Sequence, residues 1–264
     1  MTVAEALSSG VERLGAAGVD TPEVDAELLV AHVLGTSRSG VHADRDREVP
    51  EEFEELLERR SRREPMAYVL GEWGFRRLTL KTDARALVPR PETEVVVERC
   101  LLLLRGEPEP RVLDLGTGTG AIALAIADEH PGARVTAVDS SAEALALARE
   151  NAQALGLHVE LQLGALEAAA DGWDLVVSNP PYVTPAEWDT LQPEIRVWEP
   201  RAALVGENLH EEIARRADTR FLVLEVGDGQ AQNVAGALRS LGYLDVTISR
   251  DLAGKKRVVE GRRR

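Results

Sequence analysis

"RVLDLGTGTGAIALAIADEHPGARVTAVD", Arg111 to Asp139, holds in one stretch an apolar run, a glycine-rich turn, a second apolar run of helical length and a third that ends on an acid. "RVLDL" (111–115) reads as a strand buried on both faces. Gly116, Gly118 and Gly120 then allow a tight turn and keep Cβ atoms out of the way of an approaching ligand. "AIALAIADE" (121–129) reads as a helix and "RVTAVD" (134–139) as the next strand. Strand, turn, helix, strand predicts a parallel βαβ unit with its glycine loop at the ligand-binding edge of a sheet.

The same alternation continues in the carboxyl-terminal direction. Strands are expected at 158–163, 174–178, 220–226 and 244–249, and helices at 141–155, 207–218 and 229–241. Strands separated by helices imply a largely parallel sheet covered on both faces. "KKRVVEG" (255–261) follows strand 244–249 after a gap too short for a helix, so it must pair antiparallel. That ending departs from the ordinary dinucleotide fold. It predicts an α/β, Rossmann-like, seven-stranded, mostly parallel methyltransferase sheet with an antiparallel terminal hairpin.

Toward the amino terminus the pattern is helical. Val3, Ala6, Leu14 and Ala17 mark an opening helix; Thr21-Pro22-Glu23 supplies a capping hydroxyl and a first-turn proline for "VDAELLVAHVLG", which Gly35 closes. Pro50 opens a third helix with Phe53, Leu56 and Leu57 on one face. From Trp73 to Val88 alternation around Leu78 and Leu80, with Thr82-Asp83 as the turn, predicts a β-hairpin. The expected organisation is a helical domain at 1–72, a β-hairpin linker at 73–90 and a catalytic domain at 91–264.

Composition narrows the function. The 264-residue chain is 44% hydrophobic, with 31 basic and 45 acidic residues for a net charge of −14. An acidic chain with no basic–aromatic stripe is not expected to bind nucleic acid directly. The basic tail Arg262 to Arg264 is expected to be a solvated end. One cysteine, Cys100, excludes an intrachain disulfide, and the five histidines (32, 42, 130, 158 and 210) have no ligand spacing, so no metal is expected. Cys100 is expected to be a buried small residue on the helix after Glu94. The amino terminus lacks a secretory pattern and no apolar run approaches the roughly 20 residues that span a bilayer, which points to a cytoplasmic protein with no membrane partner.

The glycine run is G-x-G-x-G, neither the G-x-G-x-x-G of a dinucleotide fold nor a phosphate-binding loop. Asp114, Gly116, Thr117, Gly118 and Gly120 form the candidate cofactor loop, and Asp139, ending the second strand, can accept hydrogen bonds from a ribose diol. With the antiparallel ending, this spacing favours S-adenosyl-L-methionine. The fourth strand, "DLVVS", runs into Asn179-Pro180-Pro181-Tyr182. Pro180 lacks an N–H, and Pro181 restricts it to extended geometry. The Asn179 oxygen and the Pro180 carbonyl can therefore converge as acceptors on an attacking –NH₂, with Tyr182 offering a ring face. Acceptors on both hydrogens favour pyramidalisation of a delocalised nitrogen as it attacks a methyl group.

Three segments, "LVPRPETE" (87–94), "DLGTGTG" (114–120) and "SNPPY" (178–182), together resemble the PrmC/HemK family, which methylates the glutamine nitrogen of the Gly-Gly-Gln loop in class I peptide chain release factors. The likeness extends through "DAELLVAHVLG", "REPMAYVLG", "EPRAAL", "LEVGDGQ" and "DLAGKKRVV", nearly the whole chain. Carried over, it implies that Asn179 and the Pro180 carbonyl bind the glutamine amide while Pro181 and Tyr182 shape its slot. Gly116 and Gly118 would border the methionine part of the cofactor and Asp139 its ribose. Arg90, Pro91 and Glu92 would lie on the substrate side, and the helical domain would help dock the release factor.

Two departures stand out. The family's Gly-Asp after the third strand is Gly164-Ala165 here, and the segment after "EPRAALVG" is shortened to "ENLHEEIARRA". The rival readings are an adenine-N6 methyltransferase, which needs a basic cleft, and a non-catalytic cofactor-binding module, which has no use for the Asn179 acceptors.

Overall fold

The computed structural model describes residues 1–263 and divides into two compact units, Met1–Glu72 with Gln192–Trp198, and Trp73–Leu191 with Glu199–Arg264. The first unit carries α1 (Val3–Ala16), α2 (Pro22–Leu34), α3 (Arg38–Val41), α4 (Glu52–Ser61) and α5 (Met66–Leu70). Thr2 and Glu5 form a reciprocal capping box that starts α1. Leu14, Leu29, Phe53 and Leu57 are fully buried in this unit. Thr21 occupies the N-cap of α2, but its hydroxyl donates to Asp25 Oδ1 at 3.1 Å and does not cap a backbone N–H. Asp25 in turn takes Arg60 Nε at 2.7 Å, so the hydroxyl is drawn into a buried ion-pair network. Gln192–Trp198, expected within the catalytic domain, belongs to the helical unit: Glu194 accepts from Arg60 and twice from Arg63 at 2.6–2.9 Å.

The second unit begins at Trp73, within β1 (Glu72–Phe75), and continues into β2 (Leu78–Lys81). The hairpin turns at Arg76-Arg77, not at Thr82-Asp83. Arg76 adopts φ 52°, a left-handed conformation unusual for an arginine, and is held there by tertiary bonds. Its N–H donates to Glu94 Oε1 at 2.9 Å and its guanidinium pairs with Glu129. The hairpin is anchored at its other end as well: Asn151 accepts from Lys81 N and donates to Lys81 O.

The remaining elements are α6 (Glu94–Leu103), β3 (Arg111–Leu115), α7 (Ala121–Glu129), β4 (Arg134–Asp139), α8 (Ala142–Leu155), β5 (Glu160–Leu163), β6 (Trp173–Ser178), α9 (Pro185–Trp188), α10 (Leu209–Arg216), β7 (Thr219–Glu225), α11 (Ala231–Ser240), β8 (Leu244–Arg250) and β9 (Lys256–Arg262). The seven-stranded sheet has the order β5-β4-β3-β6-β7-β9-β8. β9 runs antiparallel to both neighbours and the other pairs are parallel, as the short gap before residue 255 predicts. Both faces are buried. Val112, Leu175, Val177 and Val223 pack on one side with α6 and α7, while Leu113, Val176, Leu222 and Leu224 pack on the other with residues of α10 and α11. Cys100 lies fully buried in the first of these layers.

Of the arginine tail, Arg262 ends β9 in an ion pair with Asp245, and Arg263 donates to Ala214 O and Ala217 O; Arg264 lies outside the described residues. Arg262 is exposed at the end of β9, as a solvated end would be, while Arg263, just past the strand, is half-buried against the end of α10. Among the described residues, no helix is long and apolar enough to cross a membrane, and no cluster of side chains could hold a metal ion.

Candidate active site

Strand register places the site. Leu115 pairs with Val138 on one side and Ser178 on the other, and Ser178 pairs with Leu224. The residues that follow, Gly116, Asp139, Asn179 and Glu225, therefore emerge side by side at the carboxyl edge of the sheet. Ser178 reinforces the register by donating its hydroxyl to Leu115 O at 2.6 Å.

A cavity of about 280 Å³ opens there, lined among others by Arg90, Gly116, Gly118, Asp139, Asn179 and Pro181. Gly116 has φ 78°, and a Cβ built on it would meet no atom within 4 Å. The missing side chain is open space against the cavity, which suits close approach of a ligand to backbone. Gly120 has a different task, because a Cβ there would press on Leu124 at 3.0 Å. Asp139 accepts from Gly118 N through Oδ2 and from Ser141 N through Oδ1, both at 2.9 Å. These bonds tie the glycine loop to the start of α8 and hold the half-buried carboxylate beside the cavity.

Asp114 sits beneath the loop, fully buried. Its Oδ2 accepts from Thr117 Oγ1 at 2.6 Å and from Ala123 N at 3.1 Å, whereas Oδ1 has no partner. Burial pushes this carboxyl up to about 7. Of the candidate cofactor loop, Gly116 and Gly118 line the cavity; Asp114, Thr117 and Gly120 lie outside its lining and shape the turn from below.

Asn179 joins a second network. Its Nδ2 donates to Thr93 Oγ1 at 3.4 Å, and Thr93 Oγ1 donates to Glu225 Oε2 at 2.6 Å. The Tyr182 hydroxyl donates to Glu225 Oε1 at 3.4 Å, while Gln230 Nε2 donates to Tyr182 O at 2.9 Å. Burial raises Glu225 to about 7; burial and then the neighbouring Glu225 raise the Tyr182 phenol to about 12. Tyr182 stacks on His210, whose ring centre is 6.4 Å away and whose Nε2–H donates to Glu225 O. The tyrosine faces a separate cavity of about 340 Å³ with His210 and Gln230. Pro180 and Tyr182 are not among the residues that line the Asn179 cavity, whereas Pro181 is.

Arg90 lines the cavity wall with its guanidinium anchored by Nη2 to both oxygens of buried Glu199, at 2.6 and 2.8 Å. Pro91 and Glu92 form a turn of 3-10 helix with Thr93 and do not line the cavity. Sequence reasoning gave no role to Glu225, Gln230, Glu199 or Asn151. Asn151 also donates to Thr119 O at 2.9 Å, pinning the glycine loop. At the family departure, Ala165 N donates to Glu167 Oε1 at 3.3 Å.

The family described as "PrmC N-terminal domain" matches residues 5–71, and "Methyltransferase small domain" matches residues 98–195. A release factor glutamine methyltransferase of Deinococcus radiodurans is 42% identical over all of this chain and 99% of its own length. One of Caulobacter vibrioides is 38% identical over 99% of this chain and 96% of its own. Among solved structures, the hMettl16 catalytic domain in complex with the MAT2A 3'UTR hairpin 6 covers 70% of this chain and 75% of its own, with a TM-score of 0.57 at 16% identity, a likeness of fold. With relatives this close over the full length, the chain is a methyltransferase and belongs to the release factor glutamine methyltransferase family.

Proposed function

We propose that the protein transfers the methyl group of S-adenosyl-L-methionine to the N5 amide nitrogen of the glutamine in the Gly-Gly-Gln loop of class I peptide chain release factors. The observation that carries this reading is one cavity bringing together the open Gly116 backbone, the Asp139 carboxylate and the Asn179 amide. The residues fit the cofactor: Asp139 accepts from ribose hydroxyls, and the Gly116–Gly118 backbone leaves room for the methionine portion. When bound, S-adenosyl-L-methionine supplies a methyl group on a positively charged sulfur.

The rest of the work falls to this chain. Asn179 Oδ1, on the cavity wall, accepts one amide hydrogen; the carbonyl of Pro180, between the lining residues Asn179 and Pro181, accepts the other, and Pro181 holds that pair rigid. Their attraction grows as positive charge builds on the attacking nitrogen, so it lowers the barrier more than it tightens binding. The surplus proton on the methylated nitrogen is acidic and leaves to water. The helical unit, matched by the family's amino-terminal domain, contributes to docking the release factor.

The test is transfer of labelled methyl to a release factor and to the same factor with its loop glutamine changed to alanine. Labelling of the first and none of the second is expected. Equal labelling of both would overturn the substrate assignment.

A further inference from the structure

We infer that Thr93 and Glu225 are positioning residues that fix which end of the Asn179 side-chain amide faces the cavity. The inference rests on the reading above, in which Asn179 accepts a hydrogen from the amide being methylated. A side-chain amide has an acceptor end and a donor end of nearly equal size, so sterics alone choose poorly between its two orientations. Thr93 makes the choice by proton counting. Its hydroxyl has one proton, and that proton is directed to Glu225 Oε2 at 2.6 Å. Thr93 Oγ1 then offers only lone pairs to Asn179, whose nitrogen stands 3.4 Å away. The oxygen of Asn179 is left for the cavity.

A carboxylate suits the far end of this relay because, when ionised, it can only accept. A protonated Glu225 could donate to Thr93, whose own proton would then turn toward Asn179 and draw its oxygen inward. The cavity would be left with an –NH₂ facing an incoming –NH₂, donor against donor. Orientation by Thr93 thus acts on the reacting nitrogen, whereas cofactor binding depends on Asp139 and the glycine loop.

The groups around Glu225 set the pH at which this happens. Tyr182 donates to Oε1, and His210 donates to the backbone carbonyl. The charge of Arg257 on β9 favours the ionised form and that of Glu92, beside Thr93, opposes it. Burial outweighs both and raises the carboxyl to about 7. The acceptor-only form prevails above that pH and is lost as pH falls through it.

The test uses the full chain, S-adenosyl-L-methionine and a release factor, with rates followed from about pH 5.5 to about 8.5. Wild type should show an acid limb in kcat near neutrality. Thr93→Val, of the same shape without the hydroxyl, should lower kcat about 10- to 100-fold with the cofactor KM unchanged. Thr93→Ser should recover most of the loss. Glu225→Gln, which cannot titrate, should lower kcat and abolish the acid limb. If Glu225→Gln does not fold, the Thr93 pair decides alone. An active wild type with no acid limb, a Thr93→Val variant with undiminished kcat, or an acid limb that persists in Glu225→Gln would each overturn the inference and leave the substrate reading intact. A folded wild type that binds cofactor but methylates no release factor would overturn the reading, and the inference with it.

Discussion

Asp114, one residue before the end of β3, and Asp139, at the end of neighbouring β4, have carboxylates in different media. Asp139 is half-buried at the cavity with both oxygens bonded to backbone N–H groups. Asp114 is sealed beneath the loop, one oxygen bonded and the other bare. Desolvation without a cation to offset it favours the protonated form, which explains a value near 7 in place of 3.8. The sign of the consequence follows by linkage. A carboxyl raised on folding contributes stability below its unfolded value and loses that contribution as pH rises to the folded one. Compared with Asp114→Asn, wild type should therefore lose relative stability between about pH 4 and about pH 7. Urea denaturation of both proteins across that range checks this, and a pH-independent difference would remove the charge argument.

Elements were legible where burial is symmetric and obscure where a distant partner decides. Strands β3, β4, β6 and β7 carry nearly unbroken apolar runs, and their glycine, aspartate and asparagine ends form short local motifs, so sheet and core site could be read together. The hairpin turn could not, because Arg76 is held in its left-handed conformation by Glu94 and Glu129. Neither could the partnership of Thr93 with Glu225, which joins residues 132 apart. Asn151 likewise reads as one polar residue on a helix. It is buried and makes three bonds, to Lys81 N, Lys81 O and Thr119 O, that fasten β2 and the glycine loop to α8. Asn151→Ala should destabilise the protein by about 2–3 kcal/mol through backbone groups left without partners. A denaturation midpoint equal to wild type would show that water replaces the lost bonds.

For the whole molecule, the polypeptide passes between the two compact units three times, because Gln192–Trp198 packs in the helical unit while its flanks belong to the sheet unit. Glu194 secures that return. It takes Arg60 and Arg63 together, and both the arginines and the carboxylate are largely withdrawn from solvent. Truncation to Ala would take its carboxylate from Arg63 and leave Arg60 with Asp25 alone. Glu194→Ala should cost about 3 kcal/mol of unfolding free energy, since removing one member of a buried pair strands the other. Chemical denaturation of the intact chain measures it, and a loss below about 1 kcal/mol would place the pair in the class of surface ion pairs.

That threading sets a rule for anyone who dissects or recombines this enzyme. A fragment beginning at Trp73 would retain the borrowed heptapeptide but forfeit the guanidinium clasp that receives it. A chimera grafting a relative's helical unit onto this sheet would have to import the matching piece from the middle of the donor gene as well. Inheritance of the two halves is therefore linked: a substitution at Glu194 is answered more than a hundred residues upstream, at Arg60 and Arg63.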